Sequence, residues 1–263
     1  MWLFMNPIKI IFFDIDGTLI DPATGKISPK TVEALRRLKE NGILRCVVTG
    51  RPPASLPDFG QIHFDVTATF NGSFCCTETQ TIYSNPLPPA TVDKLLSNIA
   101  ALGRPVSLAL RDRLSANGVD QDLADYYAIA GLTLTADPQF EEARKEDVYQ
   151  IMLGCRDADH PAILRGTDNA KIAVSWERAA DVIPSSGGKG SAIAHILDYY
   201  SLSPREAMAF GDNQNDIEML QAVGNGIAMG NAVPQLKAIA DAVCRPVQED
   251  GIYHYCLEHG LIV

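Results

Sequence analysis

The chain has 263 residues, 46% hydrophobic and 21% charged, the balance of a globular protein with core enough for one large domain or two smaller ones. Its net charge of −10 argues against nucleic acid or an anionic membrane surface as the main partner, and means that an anionic substrate needs locally reversed charge. The six cysteines show neither a C-x-x-C pair nor zinc-ligand spacing, so they read as free thiols of a reducing cytoplasm.

The opening "MWLFMNPIKIIFF" is broken by Asn6, Pro7 and Lys9, and no small-residue cleavage site precedes Asp14, so no signal peptide is expected. Met5 offers an alternative start that leaves the first four residues as an extension. No stretch is apolar for long enough to span a bilayer, and the expected location is cytoplasmic. Ile10–Phe13 has the apolar, β-branched and aromatic content of a fully buried strand. It runs into Asp14 and Asp16. Alternate residues of an extended segment project the same way, so the two acids have the spacing to converge. Carboxylates held together repel unless a cation sits between them; the plain alternative is a strand end pointing into water.

"DPATGKISPK" reads as a loop ending in a helix start, with Ser28 as N-cap and Pro29 in the first turn. Val32, Leu35 and Leu38 continue at helical spacing, and Gly42 closes the segment. A second buried strand follows in "ILRCVVTG", Ile43–Gly50, which completes a βαβ unit and implies a parallel sheet. "DVTATFNGSFCCTETQTIYS" reads as a strand and a hairpin. From about Asn85 to Pro184 prolines cluster and strands alternate, as in "VYQIMLG" and "AKIAVSW", which fits a mostly antiparallel sheet covered by helices on one face. The α/β rhythm then returns: a helix in "GKGSAIAHILDYYSL", a strand in "EAMAFGD", and shorter elements to the end. The expected fold is therefore α/β, a Rossmann-like parallel core over residues 1–84 and 185–263 with an inserted α+β unit over 85–184.

Four short stretches end buried strands or open helices of the core: "DIDGT" (Asp14–Thr18), "VTGR" (Val48–Arg51), "GGKG" (Gly187–Gly190) and "GDNQND" (Gly211–Asp216). Ligands bind at the carboxyl ends of parallel strands, and helix N-termini favour anions. Four acids, a threonine, a lysine and an asparagine are the groups that phosphoryl chemistry with a divalent cation needs. "SSGGKGS" is not a phosphate-binding P-loop, because Ile183 and Gly190 stand where that motif needs a glycine and a hydroxyl.

In this order the four stretches resemble the signature motifs of the haloacid dehalogenase-like (HAD) superfamily. The insertion between the second and third, with "FNGS" (Phe70–Ser73), resembles the Cof-type phosphatase branch with its α/β cap. The resemblance implies Mg²⁺-dependent hydrolysis of small phosphorylated metabolites, of the sugar phosphate, pyridoxal phosphate or flavin mononucleotide class. Asp14 would be the nucleophile that forms an aspartyl-phosphate, and Asp16 the general acid and base, kept protonated by its acidic neighbours. Mg²⁺ would be held by Asp14, Asp212 and the backbone carbonyl of Asp16. The N–H groups of Ile15 and Gly50, with Thr49, Lys189 and Asn215, would bind phosphate. Asp216 would orient Lys189 or a metal water, and Arg51 would contact substrate or merely begin the next segment. A phosphotransferase or phosphomutase and a non-catalytic phospho-accepting receiver are the alternatives. Mutases with these motifs carry a helical cap directly after the first one, whereas here about ten residues separate Thr18 from Ser28. Receivers are single domains near half this length.

Overall fold

The computed structural model describes residues 7–263, so the alternative start at Met5 lies outside the described residues. Strand β1 (Ile10–Phe13) is followed by a short hairpin, β2 (Ile20–Asp21) and β3 (Lys26–Ile27), where the sequence reads as loop. The helix Pro29–Glu40 comes next, with the Ser28 hydroxyl accepting from the Thr31 N–H and Ala34, Leu35 and Leu38 turned inward. Strands β4 (Leu44–Val48), β5 (Val66–Thr69), β6 (Phe74–Cys76) and β7 (Thr81–Ser84) complete the first part of the chain.

The middle of the chain carries the helix Pro89–Ala101, β8 (Ser107–Ala109), β9 (Leu114–Ala116), the helix Gln121–Ile129, β10 (Gln150–Gly154), β11 (Ala170–Trp176) and β12 (Ala179–Pro184). The last part adds the helix Lys189–Tyr199, β13 (Ala207–Gly211), the helix Ile217–Gln221, β14 (Asn225–Ala228), β15 (Ala242–Val243) and the helix Gly251–Glu258.

Eight strands form the large sheet in the order β15-β14-β13-β1-β4-β5-β6-β7; β6 runs antiparallel to both its neighbours, β5 and β7, and the other pairs are parallel. Strand β1 lies inside it. Ile10–Phe13 pair with Ala207–Phe210 on one side and with Leu44–Val47 on the other, and all four side chains are fully buried. A strand covered on both faces must be apolar throughout, which is why "IIFF" shows no alternation. The second sheet is antiparallel, in the order β11-β12-β10-β8-β9, and has its own core in which Val92, Leu95 and Ile99 of Pro89–Ala101 meet Ile151, Leu153 and Val182.

The two passages between the sheets run side by side. The Asn85 N–H donates to the Ser73 carbonyl, and the Asn85 amide donates to Ser186 Oγ at 3.1 Å. Among the described residues no helix is long and apolar enough to cross a membrane.

Candidate active site

Asp14 follows β1 directly, and Asp212 follows β13. Because these strands are neighbours and parallel, their carboxyl ends bring the two acids together on one sheet edge. One carboxylate oxygen from each of Asp14, Asp212 and Asp216 lies within 4.8 Å of the other two. Lys189, the first residue of its helix and 1% exposed, donates to Asp14 Oδ1 and Asp216 Oδ1, both at 2.6 Å. A buried ammonium needs such partners, and these two acids hold it charged against its burial.

The three acids are not equivalent. Asp216 is fully buried, and its second oxygen accepts from the backbone N–H groups of Asp212 at 2.9 Å and Asn213 at 3.0 Å. Its oxygens are committed to the protein. The Asp212 carboxylate accepts a long hydrogen bond from Thr18 Oγ1, 3.4 Å. Burial first, then the Asp14 and Asp216 charges, push its carboxyl well above the ordinary range. Asp14 is pushed the same way by burial, against the pull of Lys189. Three converging carboxylates against one ammonium leave negative charge uncompensated in a desolvated place. That donor set suits a hard divalent cation, with Asp14 and Asp212 offering free oxygen lone pairs.

Asp16 does not join this cluster through its side chain. The chain leaves extended geometry after Phe13, so the alternate-residue argument for convergence fails, and the Ile15 carbonyl instead caps a turn by accepting from Thr18, Leu19 and Ile20. Asp16 turns to Arg51, a cation rather than a second acid: Arg51 Nε and Nη2 donate to its two oxygens at 2.8 Å each. The contact partner of the Asp16 carboxylate is thus the Arg51 guanidinium and not the acidic neighbours expected from the sequence. Arg51 neither stands free for substrate nor merely opens the next segment.

Thr49 is buried at the end of β4, and its hydroxyl accepts from the Arg51 N–H at 3.1 Å. The Gly50 carbonyl accepts from Gln150 Nε2 of β10 at 3.3 Å. Asn215 sits in the 3₁₀ turn Gln214–Asp216, and its amide donates to Asn71 Oδ1 at 3.1 Å. The geometry thus gathers Asp14, Lys189, Asp212 and Asp216 tightly, sets Thr49, Gly50 and Asn215 around them at the same edge, and pairs Asp16 with Arg51.

Several participants carry no motif. Asn231 donates to the Gly17 carbonyl at 2.8 Å and accepts from the Val247 N–H at 2.9 Å, which ties down the loop after Asp16. From the second sheet, Gln150 and Asp181 are buried polar residues in otherwise apolar strands. A lone acid inside "AADVIP" was the one signal available for Asp181.

A Rossmann-like parallel sheet with acids at its carboxyl edge, roofed by an inserted antiparallel sheet, defines a class of hydrolases. A family model for haloacid dehalogenase-like hydrolases matches residues 11–256, and the chain belongs to that family. YkrA of Bacillus subtilis (strain 168), provisionally named a phosphatase, is 34% identical over 260 residues, covering 97% of this chain and 98% of its own. The 5-amino-6-(5-phospho-D-ribitylamino)uracil phosphatase YitU of the same organism is 30% identical over 266 residues, with 95% and 97% covered. Among solved structures, the HAD subclass IIB sugar phosphatase BT4131 superposes with a TM-score of 0.90 at 29% identity, over 97% of this chain and 100% of that one.

Proposed function

We propose that the chain is a Mg²⁺-dependent phosphatase of small phosphorylated metabolites that works through an aspartyl-phosphate on Asp14. The observation that carries this reading is the cluster of buried Asp14, Lys189 and Asp216 with half-buried Asp212 at the carboxyl ends of β1 and β13. The names of YkrA, YitU and BT4131 support the reaction class.

Asp14 Oδ1 is held by Lys189, which leaves Oδ2 to attack phosphorus in line with the leaving oxygen. Mg²⁺ held by Asp14, Asp212 and the Asp16 carbonyl would neutralise the phosphoryl oxygens and let two anions approach. The Thr49 hydroxyl accepts from Arg51, so its own proton is left for a phosphoryl oxygen, as are the N–H groups of Ile15 and Gly50 and the second amide proton of Asn215. Asp16 takes a proton from the water that cleaves the acyl-phosphate and returns it to a departing alkoxide, so that protons balance over the cycle. Residues 85–184 act as a cap that excludes water and contacts the leaving group, the sugar phosphate, pyridoxal phosphate or flavin mononucleotide class being the candidates. The short β2/β3 hairpin fills the place where a mutase-type helical cap would sit.

A panel of phosphorylated metabolites and one activated aryl phosphate, assayed for phosphate release with and without Mg²⁺, tests the reading. Release from at least one ester should require Mg²⁺ and vanish in Asp14→Asn, a nearly isosteric change that removes the nucleophile. No release from any ester, or near wild-type release by Asp14→Asn, refutes it.

A further inference from the structure

The turn Phe70–Gly72, outside the four motifs, touches the second, third and fourth of them. On its backbone, the Asn71 N–H donates to the Thr49 carbonyl at 2.9 Å and the Phe70 N–H to the Arg51 carbonyl at 3.2 Å. Gly72, at φ +88°, lies so close to the third motif that a Cβ there would stand 2.6 Å from the Gly188 carbonyl oxygen. Phe70 and Asn71 both adopt positive φ, 53° and 52°, a conformation that asparagine tolerates and phenylalanine rarely adopts. Something outside the turn holds it there.

That support comes from the inserted sheet. Phe70 stacks on Tyr149 with ring centroids 4.9 Å apart. The Asn71 amide nitrogen donates to Asp181 Oδ2 of β12 at 3.0 Å and to Gln150 Oε1 of β10 at 3.1 Å. Asp181 Oδ1 in turn accepts from the Tyr126 hydroxyl at 3.0 Å, and Gln150 Nε2 reaches the Gly50 carbonyl. On the core side, Asn71 Oδ1 accepts from Asn215, and the same side chain packs on Gly50, where an added Cβ would meet it at 3.1 Å. Asn71, Asp181 and Gln150 are each at most 1% exposed, so solvent offers no substitute partners. Both protons of the Asn71 amide go to the inserted sheet and its oxygen goes to the fourth motif. The orientation of the amide is thereby set from one side and read on the other.

We infer that Asn71 is a positioning residue that transmits seating of the inserted sheet, through Asp181 and Gln150, to Asn215 and Gly50. The inference rests on the phosphatase reading, in which those two residues face the phosphoryl group. With Asp181 and Gln150 in place, the Asn71 amide is fixed with its oxygen toward Asn215. Without them the amide rotates freely, and Asn215 loses the partner that orients it. The residues that hold phosphate are thus assembled only under a seated cap.

Asn71→Gly removes the amide and keeps the left-handed backbone, while Asp181→Ala removes the acceptor and leaves every core residue intact. With an activated aryl phosphate and Mg²⁺, each should lower kcat by about tenfold or more, since misplacement by an ångström costs rates of that order. The double variant should be no slower than the slower single one, because both changes break one coupled chain. Asp181→Asn, which keeps an acceptor oxygen, should recover most of the rate. If circular dichroism shows Asp181→Ala unfolded, Gln150→Met takes its place in the cycle. Calorimetric binding of inorganic phosphate, which needs no turnover, should weaken in the same variants in the same order. Near wild-type kcat in Asn71→Gly, or losses that multiply in the double variant, overturn the inference. A wild-type chain that binds phosphate but hydrolyses no ester defeats the phosphatase reading instead, and the binding series then decides the coupling alone.

Discussion

Arg51 grips Asp16 with two parallel hydrogen bonds of 2.8 Å each, and its remaining terminal nitrogen donates to the Ser55 carbonyl at 2.8 Å. The guanidinium is anchored from both sides, and the forked pairing fixes the plane of the Asp16 carboxylate in a way that an ammonium does not reproduce. Arg51→Ala and Arg51→Lys should therefore both lower kcat on an activated aryl phosphate, by roughly 10- to 100-fold, because proton transfer needs the carboxylate in place. KM should move less than kcat. A lysine variant with wild-type kcat would show that charge alone, not the fork, is what Asp16 requires.

The convergence of Asp14, Asp212 and Asp216 predicts that a divalent cation stabilises the fold. Mg²⁺ at about a hundred times its Kd should add about 2.7 kcal/mol to the unfolding free energy, read as a rise in Tm. Asp212→Asn should lose most of that rise and the activity with it. An equal rise in wild type and variant would place the cation elsewhere.

Asp181 gives a pH prediction at a distance from those acids. Burial pushes its carboxyl up to about 7, against the hydrogen bonds from Tyr126 and Asn71. Between the ordinary value of 3.8 and about 7 the folded chain holds a proton that the unfolded chain has released. The contribution of this group is thus most favourable below the lower value and is lost as pH rises through the upper one. Asp181→Asn cannot ionise and keeps an acceptor for Asn71. Its Tm relative to wild type should rise between about pH 4 and pH 7, by a few degrees, and level off above that. A difference that stays constant across that range would rule out titration of Asp181 there.

Gly17 tests how closely the loop after Asp16 is fitted to the acid cluster. It sits at φ +82°, and a Cβ there would lie 2.2 Å from Asp212 Oδ2. Gly25 shares a positive φ, +65°, but has open space around it. Gly17→Ala should abolish both turnover and the Mg²⁺-induced rise in Tm, whereas Gly25→Ala should cost only backbone strain, about 1 kcal/mol. Matching behaviour of the two variants would mean that strain, not displacement of Asp212, governs the effect.

Much of the large sheet was legible because strands buried on both faces must be apolar from end to end, as "IIFF" and "AMAFG" are. Their order was not, since Ile10 pairs with Ala207 across most of the chain and nothing local encodes that partner. The β2/β3 hairpin escaped notice because two-residue strands with exposed Lys26 are too short to show any period. In the site, motif order pointed to the acids and Lys189, which lie at strand ends or helix starts. The Arg51–Asp16 pair and the Asn71–Asp181 contact were hidden for a different reason: each is a meeting of side chains whose directions depend on turns and on how two sheets face each other. The alternate-residue rule even pointed Asp16 the wrong way, because it assumes a strand that has already ended.

The central place of β1 has a consequence for how this chain is made. A ribosome delivers Ile10–Phe13 early, with β4 available soon afterwards for one edge, but Ala207–Phe210, which closes the other, emerges only after the whole inserted unit. Until then a flat, wholly apolar strand presents an unpaired backbone edge, the kind of template on which nascent chains stick to one another. The inserted unit closes its antiparallel sheet from strands close in sequence and is complete before β13 exists. The pairing of the strand at the middle of the large sheet is therefore completed late, once β13 has followed the inserted unit.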